Sequence, residues 1–287
     1  MLFFRSLAGV AAASWVAFSV LFSSYYKSDE TTRASGYLLA ANNIGQVLAM
    51  SAGSSLAGIF GTKSAFMLAA AAAVVAFISG SLISENREVT KKPLSFPELA
   101  SVIRSRNLII VSVLAILSQF VTYATVYGFT PIVAEALGAS STHLGLLSTL
   151  SILPGIPAGA LSGSYFGKKF GEKRTLIIGF IVVAFSCVVV PLVNSFPVLI
   201  ITQIIGGFGR GVIVPLLMGL CIKNVEENKR GSAMGFYQAI YGLGMFTGPV
   251  AVGFISDIAS LNLGFYFAAF ISIVAAFMVK MFIKELS

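Results

Sequence analysis

Nine long apolar runs dominate this chain and limit what it can fold into. A helix needs about 20 mostly apolar residues to cross about 30 Å of hydrocarbon, because it rises about 1.5 Å per residue. Strands of a membrane barrel would be about half as long and would alternate in polarity, which these runs do not. The predicted fold class is therefore an all-α integral membrane protein with nine transmembrane helices. The runs occupy residues 2–24, 34–60, 64–84, 107–133, 143–166, 175–194, 197–222, 231–256 and 263–283.

The amount and placement of charge support the same class. Only 10% of the residues are charged and 57% are hydrophobic, whereas about 25% of a soluble domain is charged. The net charge of +8 would suit nucleic acid, but most Lys and Arg residues follow the first, third, fifth and seventh runs or lie at the C-terminus. This bias is the positive-inside signal. It predicts a multi-pass protein of the cytoplasmic (plasma) membrane, with the C-terminus in the cytoplasm and no nucleic-acid partner.

Enzyme chemistry has no signature in this sequence. The chain has one His, and its two Cys residues show neither a metal-ligand nor a disulfide spacing. We find no Gly-rich nucleotide loop and no nucleophile with a plausible base. The sequence therefore predicts no enzyme activity, no cofactor and no metal site, and it argues against an ATP-driven pump.

A polar stretch divides the chain into two unequal parts. Residues 85–106 are predicted to form a central cytoplasmic loop, because they separate three apolar runs from six. Residues 1–84 then form a partial N-terminal half with three transmembrane helices. Residues 107–287 form a C-terminal half with six.

A short pattern of small residues occurs twice. Ala49–Gly58 reads small-x-x-x-Gly-Ser-x-x-x-Gly, and Gly244–Gly253 reads Gly-x-x-x-Gly-Pro-x-x-x-Gly. Weak matches upstream of both copies have nearly the same offset, so we interpret the chain as two related halves. Within its half, the second copy is preceded by three more runs than the first. The nine runs therefore correspond to spans 4–12 of a six-plus-six architecture that lacks spans 1–3.

Polar residues are concentrated in four of the predicted spans. Spans 6, 9 and 12 are almost bare and are expected to face lipid, whereas spans 5, 7, 10 and 11 carry amides, phenols and one cation. Polar faces in a membrane point to a bundle interior or a wet cavity, although amides also join helices to each other. Arg210 lies near the midplane, where a charge costs about 2.5–3.5 kcal/mol, and this favours a cavity or a buried partner. The candidate cavity residues are Asn42, Gln46, Gln119, Tyr123, Tyr127, Gln203, Arg210, Gln238 and Tyr241.

Three motifs resemble those of the major facilitator superfamily, and the resemblance covers essentially the whole chain. Arg5-Ser-Leu-Ala-Gly9 is similar to the span 4 motif, in which an arginine precedes a glycine by four residues. Gly244–Gly253 resembles the span 5 motif associated with antiporters, but it lies in span 11, and span 5 has Ser54 in place of the proline. Gly163–Arg174 resembles the basic glycine loop between spans 8 and 9. The family fold is a bundle of two six-helix halves around a central cavity.

The resemblance implies a secondary transporter that moves a small organic molecule by alternating access. Efflux is favoured by the span 5 pattern, and coupling to protons is an expectation from the family alone. The amides, phenols and arginine suit neutral or anionic polar-aromatic solutes better than strong cations. The residues expected to act in coupling or gating are Arg5, Gly53, Gly58, Gly248, Pro249, Lys168, Lys169 and Arg174.

Two other functions are compatible with the same residues. One is an uptake carrier for a metabolite such as a sugar or an organic acid. The other is a truncated, non-transporting membrane protein or a partner subunit, which the absence of spans 1–3 would favour. Association with a separate three-span piece or with another copy would replace the absent helices. The partners expected in every case include the lipid bilayer.

Overall fold

Every regular element is helical in the part of the chain described by a computed structural model, which comprises residues 2–27, 30–82, 104–223 and 225–283. Within these ranges the helical elements form nine consecutive long helices, called spans here because each matches one of the predicted apolar runs. Their bounds are α1 (Leu2–Ser24), α2 (Thr31–Phe60), α3 (Thr62–Ser81), α4 (Arg106–Ala136), α5 (Thr142–Phe170), α6 (Glu172–Leu192), α7 (Phe196–Ile222), α8 (Arg230–Ile258) and α9 (Leu261–Phe282).

Seven of these spans, α3 to α9, are long and apolar enough to cross a membrane. Helix α2 has 30 residues, but its amides and hydroxyls lower its mean hydropathy. Helix α1 contributes a shorter apolar segment, Ser14–Ser24, within the residues whose side chains are described. The prediction of an all-α membrane protein is confirmed. The loop predicted at residues 85–106 lies almost entirely outside the described residues.

Two spans depart from regular α-helical geometry. Helix α4 is α-helical over Arg106–Thr122, π-helical over Tyr123–Phe129 and α-helical again over Thr130–Ala136. Helix α5 is interrupted just before Gly155, where Pro154 has no N–H to donate. It also contains a π-helical turn. Single π-helical turns inside α-helices are frequent at functional sites.

Glycines allow several of the helices to pack closely. Helix α8 lies along α4, and a Cβ atom added at Gly244 or Gly248 would collide with the backbone carbonyls of Ile116 or Phe120. Helix α2 packs against α5 and α7, and α1 packs against α8. Small residues permit this close approach in a membrane, where packing rather than water exclusion joins helices.

The three spans expected to face lipid present apolar side chains to the outside. Helix α3 has no buried residue and packs mainly against α2. Helix α6 packs against α7 and α9 and exposes Ile181 and Phe185 on its other face. Helix α9 exposes Phe270 and Phe277 in the same way. The polar residues are thus left to the helices that surround the centre.

Candidate functional site

A cavity of about 610 Å³ lies at the centre of the bundle. Sites for small molecules typically enclose about 300–1,000 Å³. Residues of α1, α2, α4, α5, α7 and α8 line it, so both predicted halves contribute. Eight of the nine candidate cavity residues are among them, namely Asn42, Gln46, Gln119, Tyr123, Tyr127, Arg210, Gln238 and Tyr241.

Arg210 supplies the only ionised side chain in the described lining. Its Nη2 donates to the backbone carbonyl of Ser151 on α5, at 3.4 Å. No ion pair joins Arg210 to a carboxylate within the described residues, where the acidic partners of salt bridges are Glu30, Glu172 and Glu226. The cation expected near the midplane therefore faces a cavity and a carbonyl.

Glycines of α7 allow the backbone around Arg210 to lie close to α5 and α6. A Cβ atom at Gly207 would collide with the carbonyl of Ser151. One at Gly209 would lie 2.9 Å from the carbonyl of Gly179 on α6, and one at Gly206 would lie 2.9 Å from Nη1 of Arg210. Because α5 and α6 touch the α7 backbone on both sides, the position of Arg210 is tightly fixed.

Four tyrosines form one wall of the cavity. Tyr123 and Tyr127 of α4 have ring centroids 5.0 Å apart, and Tyr237 and Tyr241 of α8 have ring centroids 5.4 Å apart in an edge-on arrangement. Both α4 tyrosines lie in the π-helical segment. We call this surface the tyrosine wall. It offers aromatic faces together with hydroxyl groups.

Amides and one indole supply further groups of the lining. Gln46 Nε2 donates to Asn42 Oδ1 within α2, at 2.6 Å. Gln238 Nε2 on α8 donates to Ser19 Oγ on α1, at 3.4 Å. Trp15 also lines the cavity. Sequence reasoning did not select Trp15, although it is the single tryptophan of the chain.

Gln203 does not line the cavity. It lies on α7 two turns before Arg210, and its side chain is 2% exposed. Its Oε1 atom accepts no hydrogen bond from any described residue. Gly207, one turn nearer to Arg210 on the same helix, still lines the cavity. Gln203 thus shares a helix with Arg210 but is buried beyond the cavity.

One end of the bundle is closed by contacts between α2 and the helices of the C-terminal half. Thr32 Oγ1 donates to Glu172 Oε1 at 2.9 Å, and Lys223 Nζ lies 2.9 Å from the other oxygen of the same carboxylate. Thr31 Oγ1 donates to the carbonyl of Gly219 on α7. We call this the basic end, because Arg33, Lys173 and Lys223 lie at or beside these contacts.

Apart from Arg5, the residues expected to act in coupling or gating are not part of the described cavity lining. A Cβ atom at Gly53 or Gly58 would meet nothing within 4 Å, whereas one at Gly248 would collide with α4. Pro249 lies inside α8, which remains helical through it. The side chain of Arg5 lies outside the described residues.

The basic residues around the junction of α5 and α6 are at the surface. Lys168, Lys169 and Arg174 are exposed. Lys169 Nζ donates to the hydroxyl of Tyr165 at 2.9 Å and lies over the ring of Phe170. None of the three basic residues is within the described cavity lining. The three residues thus lie at the surface, apart from the described cavity lining.

Comparison with known proteins gives a consistent family. The model of the Major Facilitator Superfamily matches residues 1–131 and 115–286. The quinolone resistance protein NorA of Staphylococcus aureus (strain MRSA252) is 28% identical over 155 residues, which are 54% of this chain and 39% of NorA. The uncharacterized MFS-type transporter MJ1560 of Methanocaldococcus jannaschii is 23% identical over 231 residues, 77% of this chain and 58% of that protein. The match thus spans less than two thirds of either relative.

A solved structure shows the same arrangement of helices. The human organic anion transporter MFSD10 (TETRAN) superposes with a TM-score of 0.76 at 16% sequence identity, over 91% of this chain and 66% of that chain. At this identity the likeness concerns the fold. The predicted spans, the central cavity and the family match agree, and this chain belongs to the major facilitator superfamily.

Proposed function

We propose that the protein exports a small organic molecule across the cytoplasmic membrane by alternating access. The observation that carries this proposal is the cavity of about 610 Å³ between α2 of the first half and α5 and α7 of the second. Transporters of this architecture bind their substrate at the interface of two halves and rock the halves about it. The cavity has the position and the size that such a mechanism requires.

The contacts at the basic end define what has to move. By the positive-inside rule this end faces the cytoplasm, so the described conformation is closed toward the cytoplasm. Opening to that side separates Thr31 and Thr32 of α2 from Gly219 and Glu172. These are hydrogen bonds and glycine contacts, which can break and reform as two surfaces part.

The direction of transport rests on likeness to an efflux-type relative. NorA is named for quinolone resistance, and export of the drug is the simplest means of such resistance. Coupling to protons comes from the family alone, because no carboxylate belongs to the described cavity lining. Any proton-binding carboxylate is therefore to be sought outside that lining.

The gating roles are part of the same proposal. Gly248 and Pro249 let α8 lie closely on α4 and bend during the cycle. Gly53 and Gly58 give α2 a similar surface. Lys168, Lys169 and Arg174 act at the basic end, and Arg5 acts in coupling.

Arg210 provides the experiment that tests transport. Inside-out membrane vesicles containing the protein should accumulate a fluorescent quinolone when their lumen is acidic, and the Arg210→Ala protein should lose this accumulation by 10-fold or more. Lys63→Ala, which removes a cation from the exposed start of α3, is the matched control and should transport normally. Each variant should elute as a single species with an unchanged unfolding temperature.

Three outcomes would contradict the proposal. Normal accumulation by the Arg210→Ala protein would show that transport does not depend on this cavity residue, contrary to the proposal. Accumulation in right-side-out vesicles instead would reverse the direction and favour an uptake carrier. Equal signals from vesicles with and without the protein would argue against transport of this class of solute.

A further inference from the structure

We propose that the cavity takes an aromatic organic anion, whose acidic group binds Arg210 and whose ring lies on the tyrosine wall. This inference rests on the proposed function, because it names the class of solute that the same cavity would carry. It is argued from the charge of the lining, the hydrogen-bonding capacity of the guanidinium and the position of the rings.

The charge in the described cavity lining is positive. Arg210 is the single cation of the described lining, and amides, phenols, hydroxyls and apolar groups supply the rest. In a medium of low effective dielectric constant, a charge without an ionic partner acts strongly on whatever enters. The cavity therefore attracts an anion and repels an organic cation.

The guanidinium has donors to spare. Arginine carries five N–H donors in a planar fork that fits a carboxylate with two parallel hydrogen bonds. Within the described residues Arg210 makes one hydrogen bond, to Ser151, and at 3.4 Å this bond is long. A carboxylate, sulfonate or phosphonate would use donors that no described protein group occupies.

The position of the cation is set before any solute binds. Its Nη1 lies so close to Gly206 that a Cβ atom there would be 2.9 Å away, and Ser151 holds the other side. Both neighbours of Arg210 in the sequence are glycines, which let α7 touch α5 and α6. A fixed guanidinium loses little entropy on binding, so its charge is used efficiently.

The ring site lies next to the charge site. Tyr127 and Arg210 line the same cavity, and the ring of Tyr127 is tilted against that of Tyr123, with the two centroids 5.0 Å apart. Tyr237 and Tyr241 continue the wall on α8. Aromatic rings prefer offset or edge-on neighbours, so the ring of a bound solute has four tyrosines against which to pack. A solute with its acidic group attached directly to an aromatic ring matches the adjoining sites.

The single tryptophan makes binding measurable without a label. Trp15 lines the cavity and is the one tryptophan of the chain, so its emission reports occupancy of this cavity. The purified protein in nanodiscs would be titrated with biphenyl-4-carboxylate, biphenyl-4-carboxamide and biphenyl-4-ylmethylammonium. These probes share a ring system and differ in charge. The carboxylate should bind about 10- to 100-fold more tightly than the amide, which is the range expected for hydrogen bonds to a charged group.

Substitutions of Arg210 then test whether this residue causes the preference for the carboxylate over the amide. Arg210→Gln should bring the carboxylate to the affinity of the amide, and Arg210→Lys should restore part of the difference because it keeps the charge without the fork. Lys63→Gln removes the same charge at an exposed site and should leave the preference unchanged. The comparison of the three probes on the unaltered protein needs no variant to fold.

The outcomes separate this inference from the proposed function. Equal affinity for the three probes, tighter binding of the ammonium compound, or no saturable quenching by any of them would overturn the inference. Quinolone transport, measured separately in inside-out vesicles that contain the same protein, would stand in each of those cases, and its loss would overturn the transport proposal instead. Retention of the carboxylate preference in a folded Arg210→Gln protein would overturn the role of Arg210.

Discussion

Helices α2 and α8 carry the same small-residue pattern but use it differently. On α8, Gly244 and Gly248 lie against the backbone carbonyls of α4. On α2, Gly53 and Gly58 face open space, and a Cβ atom there would meet nothing within 4 Å. A small-x-x-x-small pattern thus identifies a surface able to accept a helix backbone. The neighbouring helix decides whether the surface is filled.

The two helices become more alike toward the basic end. Thr31 and Ser35 at the start of α2 are fully buried, and Arg230 at the start of α8 is buried as well. Helix α2 is held there by α5 and α7. The same helix is therefore packed at one end and open at the other, which gives a direct way to test what each contact contributes.

The largest effect should come from filling the covered glycine of α8. Gly248→Val would drive a side chain into the backbone of Phe120, which cannot rotate away. We expect a loss of about 3 kcal/mol in the free energy of unfolding. Denaturant titration in detergent micelles would measure it. Gly58→Val on α2 is the matched control, with a change within about 0.5 kcal/mol. Similar losses for both variants would show that the α2 surface is covered after all.

A smaller but still clear effect is expected where α7 meets α2. A Cβ atom at Gly219 would collide with Thr32, so Gly219→Ala should push the start of α2 away and destabilise the protein by about 1–3 kcal/mol. Gly231→Ala, at the start of α8, adds the same methyl group where nothing lies within 4 Å. Thermal unfolding of the two variants side by side measures the difference. An unchanged midpoint for Gly219→Ala would refute the close contact.

The carboxylate of Glu172 should contribute about 1 kcal/mol to closure of the basic end. It accepts from Thr32 and pairs with Lys223, and Glu172→Gln weakens both interactions. The expected result is about 5-fold faster thiol labelling of a cysteine placed at Asn43, measured from the basic end in a Cys187→Ser, Cys221→Ser background. Glu226→Gln breaks the exposed pair with Lys229 and serves as the control. Equal labelling rates would mean that Glu172 does not hold this end closed.

The smallest effect concerns the hydrogen bond between α1 and α8. Gln238 Nε2 and Ser19 Oγ are 3.4 Å apart, and hydrogen bonds between membrane helices average about 0.6 kcal/mol. A double-mutant cycle with Gln238→Leu and Ser19→Ala should give a coupling energy of that size or less. A coupling above about 1.5 kcal/mol would indicate that α1 is held to α8 more firmly than this bond implies.

The helices could be predicted from the sequence because apolar length has few alternatives in a bilayer. The run 197–222 became Phe196–Ile222, and the run 231–256 became Arg230–Ile258. The π-helical segment Tyr123–Phe129 could not be predicted, since its hydrogen-bond pattern has no compositional signal and depends on its neighbours. Its consequence is local, because it places two tyrosines on the cavity.

The sequence predicted which helix faces carry the cavity residues, but not how far along each helix the cavity extends. Gln203 and Arg210 are seven residues apart and share a helical face, yet only Arg210 reaches the cavity. The helical repeat predicts which face of the helix a side chain occupies. It does not predict how far along the helix the cavity extends. The contacts of Glu172 with Thr32 and with Lys223 were likewise not predicted, because they join three segments that are distant in sequence. The functional roles assigned to these residues stay predictions.

The closely packed glycines of α7 limit which codon changes this segment can accept. Every single-base change of a glycine codon that alters the amino acid introduces a Cβ atom or a stop. At Gly207 and Gly211 that atom would enter the backbone of α5, so drift there is confined to synonymous codons. Ile204 and Ile205, on the exposed side of the same helix, can exchange among apolar residues. The segment that carries Arg210 therefore combines constrained and variable codons within about two helical turns.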